Sequence, residues 1–154
     1  EAQSSLGSLL GSGPFEEKEE VERLVANVLL SPVMLRARKA EERFAETPIA
    51  LHVDGRLLEG VIDLAFLENE AWVIVDFKTD QVVKDLVSTR TDAYRAQLSL
   101  YALALERLTR YPVKELVLLF VRSPQEIIFP WGEDERRLAG ALVSLASAGY
   151  EGSE

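Results

Sequence analysis

A nine-residue segment, WVIVDFKTD at positions 72–80, constrains the fold of this chain most strongly. Successive side chains of a β-strand point to opposite faces of the sheet, so Trp72 and Ile74 would share one face and Val73 and Val75 the other. Both faces are apolar, which is typical of a central strand that is covered on both sides. The segment therefore predicts an α/β fold in which helices pack on the faces of a sheet.

Two charged residues, Asp76 and Lys78, interrupt this strand near its carboxyl end. Burying a carboxylate or an ammonium group is costly unless the charge is compensated. Either the two neutralise each other as a structural ion pair, or they are held there to bind a ligand. A second acid inside an apolar run, Asp63, would come to lie beside Asp76 after a short turn at 69–70. Adjacent carboxylates repel each other, and a divalent cation between them would relieve the repulsion.

Periodicity and turn residues divide the rest of the chain into helices and strands. Turns at 54–55 and 69–70 predict that the first three strands form an antiparallel meander. Residues 1–14 predict a flexible lead-in, followed by a single domain at 15–150. The predicted order is α-α-β-β-β-α-β-β-α, with helices at 15–30, 33–45, 91–110 and 132–148, and strands at 46–53, 56–68, 71–80, 113–122 and 125–130.

The helix predicted at 91–110 carries several features that matter for the site. Thr91 or Asp92 is expected to cap its start. Gln97 and Tyr101 are four residues apart and share a face, and Tyr94 borders that face one turn earlier. Each of these could also be an ordinary core aromatic or solvated side chain. Its apolar stripe is formed by Leu98, Tyr101, Leu105 and Leu108, and that of the first helix by Val21, Leu24, Val25, Val28 and Leu29.

Composition excludes several kinds of site. The 154 residues include no cysteine, which excludes disulfides, thiolate-bound zinc and iron–sulfur clusters. A single histidine, His52, makes a histidine-based zinc site or a Ser-His-Asp triad an unfavoured interpretation, so a bound metal would be a hard cation on carboxylate oxygens. The net charge of −9 argues against a general polyanion binder. No apolar run or signal pattern predicts membrane insertion or secretion, so a cytoplasmic location is expected.

Three motifs, GVID at 60–63, VDFKTD at 75–80 and QLSLY at 97–101, together resemble the PD-(D/E)xK nuclease superfamily. The likeness is greatest to the RecB-type nuclease domain at the C-terminus of bacterial helicase–nuclease subunits of the AddA and RecB kind. It spans roughly residues 31–122, and ETPI at 46–49 is similar to the segment that precedes the active site in that family. The resemblance implies a restriction-endonuclease-like core, a mixed sheet of about five strands flanked by helices.

The resemblance also implies roles for the acid pair and its neighbours. Asp63 and Asp76 would bind Mg²⁺ or Mn²⁺, with the main-chain carbonyl of Phe77 as a further ligand and Glu46 as a weaker candidate. Lys78 would orient or deprotonate the attacking water. The family's usual metal-binding histidine has no counterpart here, since Gly11 stands where it could fall. The absence of cysteine favours the AddA or RecB side of the family over relatives that carry an iron–sulfur cluster.

The implied substrate is DNA, mainly as single strands that an attached helicase delivers. Gln97 and Tyr101 would position the strand or brace the site. Four residues near the motif are candidates for DNA contacts, although an ordinary solvated charge is the alternative for the basic ones: Lys84, Arg90, Tyr94 and Arg95.

Three functions remain open at this point. The first is a metal-dependent DNA nuclease domain in double-strand-break repair, cut from a longer chain that carries a helicase domain and works with a second helicase–nuclease subunit. The second is an inactive scaffold of the same fold that binds DNA or braces a partner subunit. The third is a junction resolvase or restriction-type endonuclease, which the Q-x-x-x-Y helix makes less favoured.

Overall fold

The computed structural model describes residues 14–53, 55–79 and 87–148. Within these ranges the chain forms one five-stranded sheet between two layers of helices. The elements follow the predicted order: α1 Pro14–Leu30, α2 Pro32–Lys39, β1 Glu42–Val53, β2 Arg56–Glu68, β3 Ala71–Lys78, α3 Val87–Leu108, β4 Val113–Phe120, β5 Gln125–Pro130 and α4 Glu133–Ala148.

The sheet has the strand order β1-β2-β3-β4-β5, so β3 is central, as its apolar sequence predicts. The β1–β2, β2–β3 and β4–β5 pairs are antiparallel, whereas β3 and β4 are parallel. A parallel pair requires a crossover connection, and α3 provides it. The predictions of an α/β fold, a mixed sheet of five strands and a meander of the first three strands are confirmed.

Two apolar cores cover the two faces of the sheet. The first contains Trp72 and Ile74 of β3 and lies beneath α3 and α4. The second contains Val73 and Val75 and lies beneath α2. The alternation along β3 therefore separates the cores as predicted. Asp76 and Lys78 follow Trp72 and Ile74 in the alternation, which directs them to the face that α3 covers.

Both predicted hairpin turns are present where the structure describes them. Asn69 and Glu70 have φ values of 52° and 63°, so both central residues of the β2–β3 turn are in the left-handed region that a two-residue turn of this kind requires. Gly55 follows β1 with a φ of 79°, which glycine adopts without steric cost. The β2–β3 turn sets the register, and Leu64 pairs with Val75.

The second helix is shorter than predicted, and β1 is longer. The helix ends at Lys39, Ala40 is already extended, and β1 begins at Glu42 rather than at Glu46. Phe44 explains the change, because as a strand residue it packs against the first core with its ring centroid 5.3 Å from that of Trp72. Pairing with β2 and burial of this ring outweigh a helical pattern that is only weakly favourable.

The third helix begins one turn earlier than predicted, at Val87. Thr91 and Asp92 therefore lie inside it, and the prediction that one of them caps the helix is wrong. Leu98, Tyr101 and Leu105 are buried as predicted, but Leu108 is 61% exposed because it is the final residue of the helix. The strands predicted to reach 80 and 122 end at Lys78 and Phe120.

Glu106 near the end of α3 connects three elements at the edge of the first core. Its carboxylate accepts hydrogen bonds from the Val113 amide at 2.9 Å, from Trp131 Nε1 at 3.1 Å, and from Arg136 Nε and Nη2 at 2.8 Å each. Burial opposes the charge on Glu106, but these donors prevail and hold the pKa of its carboxyl below the usual value. The predicted core is thus supplemented by a buried polar contact between α3, β4 and α4.

The lead-in predicted at 1–14 lies outside the described residues, apart from Pro14, which begins α1. The first predicted helix forms as α1, but it contains no buried residue. Of the apolar face that periodicity predicted, Val21, Val25 and Leu29 remain about half exposed. None of the helices in the described part of the chain is long and apolar enough to cross a membrane.

Candidate active site

The candidate site lies at the carboxyl end of β3, where the strand leaves the core. Lys78 is the last residue of β3 and is level with Phe120, the last residue of the parallel strand β4. The crossover brings the chain back over this face as α3, so the amino-terminal half of α3 lies above the end of β3. In open α/β sheets, ligands bind in the crevice outside the carboxyl ends of the strands.

Asp63 sits where the alternation of β2 changes phase. Ile62 packs in the first core, so regular alternation would place Leu64 there as well. Instead Leu64 packs in the second core and Ala65 in the first, so the two faces of β2 are exchanged near Asp63. Glu46 lies opposite Asp63 across the β1–β2 ladder and has a φ of 49°, which is unusual for a residue with a side chain. This local irregularity is what allows a carboxylate in an apolar strand to turn toward the end of β3.

Asp63 is anchored to β3 by a hydrogen bond that its Oδ2 accepts from the Phe77 amide at 2.9 Å. In a strand the N–H and C=O of one residue point toward the same neighbouring strand. The Phe77 carbonyl is therefore directed to the side on which Asp63 lies, and its role as a main-chain ligand stays a prediction. The Lys78 carbonyl points the other way and accepts from the Val121 amide at 2.9 Å.

Asp76 is buried, with 8% of its surface exposed. Its Oδ2 is 2.6 Å from Lys78 Nζ, but this ion pair lacks the angles of a hydrogen bond, and no other described residue donates one to this buried oxygen. Burial raises the pKa of the Asp76 carboxyl; Lys78 lowers it, and the neighbouring Asp63 raises it again. The charged form of Asp76 is therefore undercompensated by the protein alone.

These groups fit a hard divalent cation. The two carboxylates and one main-chain carbonyl are oxygen donors of the kind that Mg²⁺ and Mn²⁺ prefer, and the undercompensated Asp76 Oδ2 has capacity for a cation. The described residues contain no group of three or more acids, histidines or cysteines that could hold a metal ion, so Glu46 does not join Asp63 and Asp76 in such a group. Glu46 is exposed. A cation here would keep several water or phosphate ligands, as Mg²⁺ usually does.

Helix α3 contributes the predicted pair Gln97 and Tyr101. Gln97 Nε2 donates a hydrogen bond to the Tyr101 hydroxyl at 2.9 Å, which fixes both side chains along one face of α3. Tyr101 is buried against β2, where an added Cβ on Gly60 would lie only 2.4 Å from the Tyr101 ring. The glycine of the GVID motif thus gives the tyrosine ring its place. The motif was visible in the sequence, but this packing contact was not.

One turn earlier, the Tyr94 ring covers the Lys78 ammonium, with Nζ 4.0 Å from the ring centroid. Tyr94 was predicted to contact DNA, and sequence reasoning did not pair it with Lys78. The signal was present, since the predicted strand and helix of a crossover unit place the end of the one near the start of the other. Tyr94 therefore belongs to the same cluster as the acid pair.

The other predicted site residues are dispersed. Arg95 is exposed and lies over the Phe129 ring of β5 at 5.3 Å from its centroid. Lys84 lies outside the described residues, and Arg90 is in the first turn of α3, where the backbone alone is described. His52 is exposed on β1.

Comparison with protein families agrees with this geometry. The PD-(D/E)XK nuclease superfamily matches residues 4–147, nearly the whole chain. The chain belongs to this superfamily. The resemblance predicted from three short motifs is therefore confirmed, and the motifs lie on the strands and helix predicted for them: Asp63 on β2, Asp76 and Lys78 on β3, and Gln97 and Tyr101 on α3.

Members of the superfamily with similar sequences are bacterial helicase–nuclease subunits. The chain is 34% identical over 128 residues to the A-type subunit of the ATP-dependent helicase/nuclease of Carboxydothermus hydrogenoformans, covering 74% of this chain and 11% of that one. It is 32% identical over 118 residues to the protein of the same name from Alkaliphilus oremlandii, covering 67% of this chain and 10% of the relative. The chain thus spans about a tenth of the length of these curated relatives.

A solved structure from Eubacterium rectale, named as a candidate exonuclease, has the same fold. It superposes with a TM-score of 0.54 at 16% identity, covering 82% of this chain and 50% of that one. At this level of identity the likeness shows the fold alone. It shows that a mixed sheet flanked by helices, as in this chain, also occurs in that solved structure.

Proposed function

We propose that this chain is the Mg²⁺- or Mn²⁺-dependent nuclease domain of a longer helicase–nuclease, and that it cleaves phosphodiester bonds of single-stranded DNA. One observation carries the proposal: the buried Asp76 Oδ2 lacks a hydrogen-bond donor among the described residues, although Asp63 and Lys78 lie beside it. Its cationic neighbour, Lys78, lies at 2.6 Å without the angles of a hydrogen bond, and Asp63 adds a second negative charge beside it, so a divalent cation would supply the compensation that these residues do not.

Asp63, Asp76 and the Phe77 carbonyl would hold the cation. A cation bound there would lower the pKa of the water that it holds and would neutralise charge on the scissile phosphate. The Phe77 amide keeps Asp63 oriented, since it donates to Asp63 Oδ2 at 2.9 Å. The two carboxylates come from paired strands of one sheet, so their separation is fixed by the backbone and little reorganisation accompanies binding.

Lys78 would act on the attacking water and on the phosphate. Its ammonium lies 2.6 Å from Asp76 Oδ2. From there it would lie between the acid pair and an incoming phosphate and stabilise the negative charge that develops on the phosphate. Water would add to phosphorus and lose a proton to solvent while the bond from phosphorus to the 3′-oxygen breaks, and the leaving 3′-oxygen would take a proton from solvent, so that the products are a 5′-phosphate and a 3′-hydroxyl. Gln97 and Tyr101, fixed to each other at 2.9 Å, would position the strand from α3.

The relatives suggest where this domain works. They are named as subunits of ATP-dependent helicase/nucleases, and the aligned part of the chain covers only about a tenth of their length, so a helicase domain on the same polypeptide and a second subunit would be its partners. The net charge of −9 fits a domain that receives single strands from such a motor rather than capturing DNA by itself. Residues 15–150 would be the nuclease domain, acting in the cytoplasm in double-strand-break repair.

The test is cleavage of a 5′-labelled single strand by the 154-residue chain in Mg²⁺ or Mn²⁺. Asp76→Ala and Lys78→Ala should each lower the rate by at least about 100-fold, because each removes a group that acts in the transition state. Asp134→Asn is the matched control, since that aspartate lies on α4 with 90% of its side chain exposed. Circular dichroism checks that every variant is folded. Cleavage by Asp76→Ala at the parent rate would contradict the proposal.

The alternative is a scaffold of the same superfamily that binds DNA or a partner subunit without cleaving. It is favoured by one observation, that no third acid or histidine joins Asp63 and Asp76 in the described part of the chain. A scaffold predicts no cleavage by the parent chain in either metal, together with DNA binding that is unchanged by Asp76→Ala.

A further inference from the structure

Lys78 has a flexible four-carbon side chain, yet its ammonium group has to be held at one place to act on a phosphate. Two groups hold it in the structure. Asp76 Oδ2 is 2.6 Å from Nζ, and the Tyr94 ring centroid is 4.0 Å from Nζ. The Lys78 side chain is only 17% exposed, so these contacts are partly shielded from water. An ammonium over an aromatic face is attracted by the ring quadrupole, and the attraction is larger where water is excluded.

Tyr94 is well placed to hold its position. It is partly buried and packs against the first core, on the same face of α3 as the buried Leu98 and Tyr101. A tyrosine side chain has two rotatable angles, and here it is carried by a helix of 22 residues. The ring is therefore a rigid surface, whereas the lysine that it covers is flexible.

The two holders of Lys78 differ in one respect that matters for catalysis. In the proposed function Asp76 also binds the cation, and a carboxylate engaged by a divalent ion has less negative charge available for an ammonium. The Tyr94 ring is neutral and is not a metal ligand, so its attraction for Lys78 is the same whether or not Asp76 is engaged. The ring can therefore retain the ammonium when the carboxylate no longer does.

We infer that Tyr94 is a positioning residue that holds the Lys78 ammonium at the acid pair through its ring face. The consequence for cleavage rests on the proposed function, whereas the contact itself does not. The role requires the aromatic ring and not the hydroxyl. Tyr94→Phe should therefore retain it, and Tyr94→Leu, which keeps an apolar side chain in the core, should lose it.

The contact is tested first without any cleavage assay. The chain has five lysines, so a sample labelled with ¹³C at lysine Cε gives a simple spectrum in which Lys78→Arg identifies the Lys78 signal. With Nζ 4.0 Å from the centroid, the Lys78 Hε protons should be shifted upfield by the ring current in the parent and in Tyr94→Phe. Tyr94→Leu should return them to the shift of exposed lysines. An unshifted Lys78 signal in the parent would overturn the inference.

Steady-state cleavage tests the role. Tyr94→Leu should lower kcat by about tenfold, as expected for a partly desolvated cation–π contact, with KM within about twofold of the parent. Tyr94→Phe should retain most of kcat, and Tyr111→Leu, an exposed tyrosine at the other end of the sheet, is the matched control. Equal loss in Tyr94→Phe and Tyr94→Leu would assign the role to the hydroxyl and overturn the inference. A parent chain that does not cleave would refute the proposed function, and the lysine spectrum would still decide the contact.

Discussion

Gly60→Ala should destabilise the domain, because β2 and α3 are in contact at this position. A Cβ at residue 60 would lie 2.4 Å from Tyr101 Cε1, 2.8 Å from its hydroxyl oxygen and 2.9 Å from Cζ. The shortest distance is about 1 Å less than the 3.4 Å at which ordinary contacts begin, so the ring has to move by about that amount. Tyr101 is only 9% exposed and packs in the first core, so a movement of its ring would disturb the neighbouring core side chains.

The cost follows from this overlap. Overpacking a core by a methyl group typically costs about 1–3 kcal/mol, and in a domain of this size that lowers Tm by about 2–12 °C. Displacing the ring also disturbs the 2.9 Å hydrogen bond from Gln97 to the Tyr101 hydroxyl. Gly60→Ala should therefore reduce cleavage as well as stability, although residue 60 bears no functional group.

The assay is urea unfolding followed by circular dichroism, with two matched variants. Gly140→Ala adds the same methyl group on α4 where no atom lies within 4 Å, so it should leave stability unchanged or raise it by up to about 1 kcal/mol. In a Tyr101→Leu background, Gly60→Ala should cost less than about 0.5 kcal/mol, because the ring that it meets is gone. If Gly60→Ala is as stable as the parent, or costs the same in both backgrounds, the contact does not have the importance given to it.

Three further predictions concern charged groups and are checked by urea unfolding in metal-free buffer. Glu106→Ala should lower the free energy of unfolding by about 2–4 kcal/mol, because it leaves an amide, an indole N–H and a guanidinium without their buried acceptor. A decrease of less than about 1 kcal/mol would contradict this. Arg36 lowers the pKa of Glu68 to about 2, so the parent should lose about 1–3 kcal/mol as pH falls from 4.5 toward 2, and Glu68→Gln should flatten that fall. Burial raises the pKa of Asp76, so the charged form is disfavoured in the fold and stability decreases as pH rises through the carboxyl range. Asp76→Asn should remove this decrease and be more stable than the parent at neutral pH in metal-free buffer, and a less stable Asp76→Asn would refute it.

Much of the fold could be predicted because local signals and tertiary packing agree. The alternation in 72–80 is apolar on both faces, and β3 is central with a core on each side. The pairs at 54–55 and 69–70 are turn residues between apolar segments, and the strands of the meander flank them. The site followed from the same signals, because the short turn fixes the register that brings Asp63 to Asp76.

The failures occurred where long-range packing decides. Residues 40–45 have a helical pattern, but Phe44 is buried only if this segment extends β1 alongside β2. The contacts of Glu106 join residues from three elements and leave no trace in local periodicity. The crossover pattern placed Tyr94 near the end of β3, but the contact of its ring with Lys78 could not be predicted, because the distance between a strand end and a helix turn depends on how the crossover packs.

The central claim is that Asp63 and Asp76 form a divalent-metal site at the end of β3. Calorimetric titration of the 154-residue chain with Mn²⁺ tests it most directly, in the parent, Asp63→Asn and Asp76→Asn, with Asp134→Asn as the exposed control. The account predicts binding in the parent and the control, and loss of that binding in both site variants. Mn²⁺ binding of the same affinity in Asp63→Asn and Asp76→Asn as in the parent would contradict it.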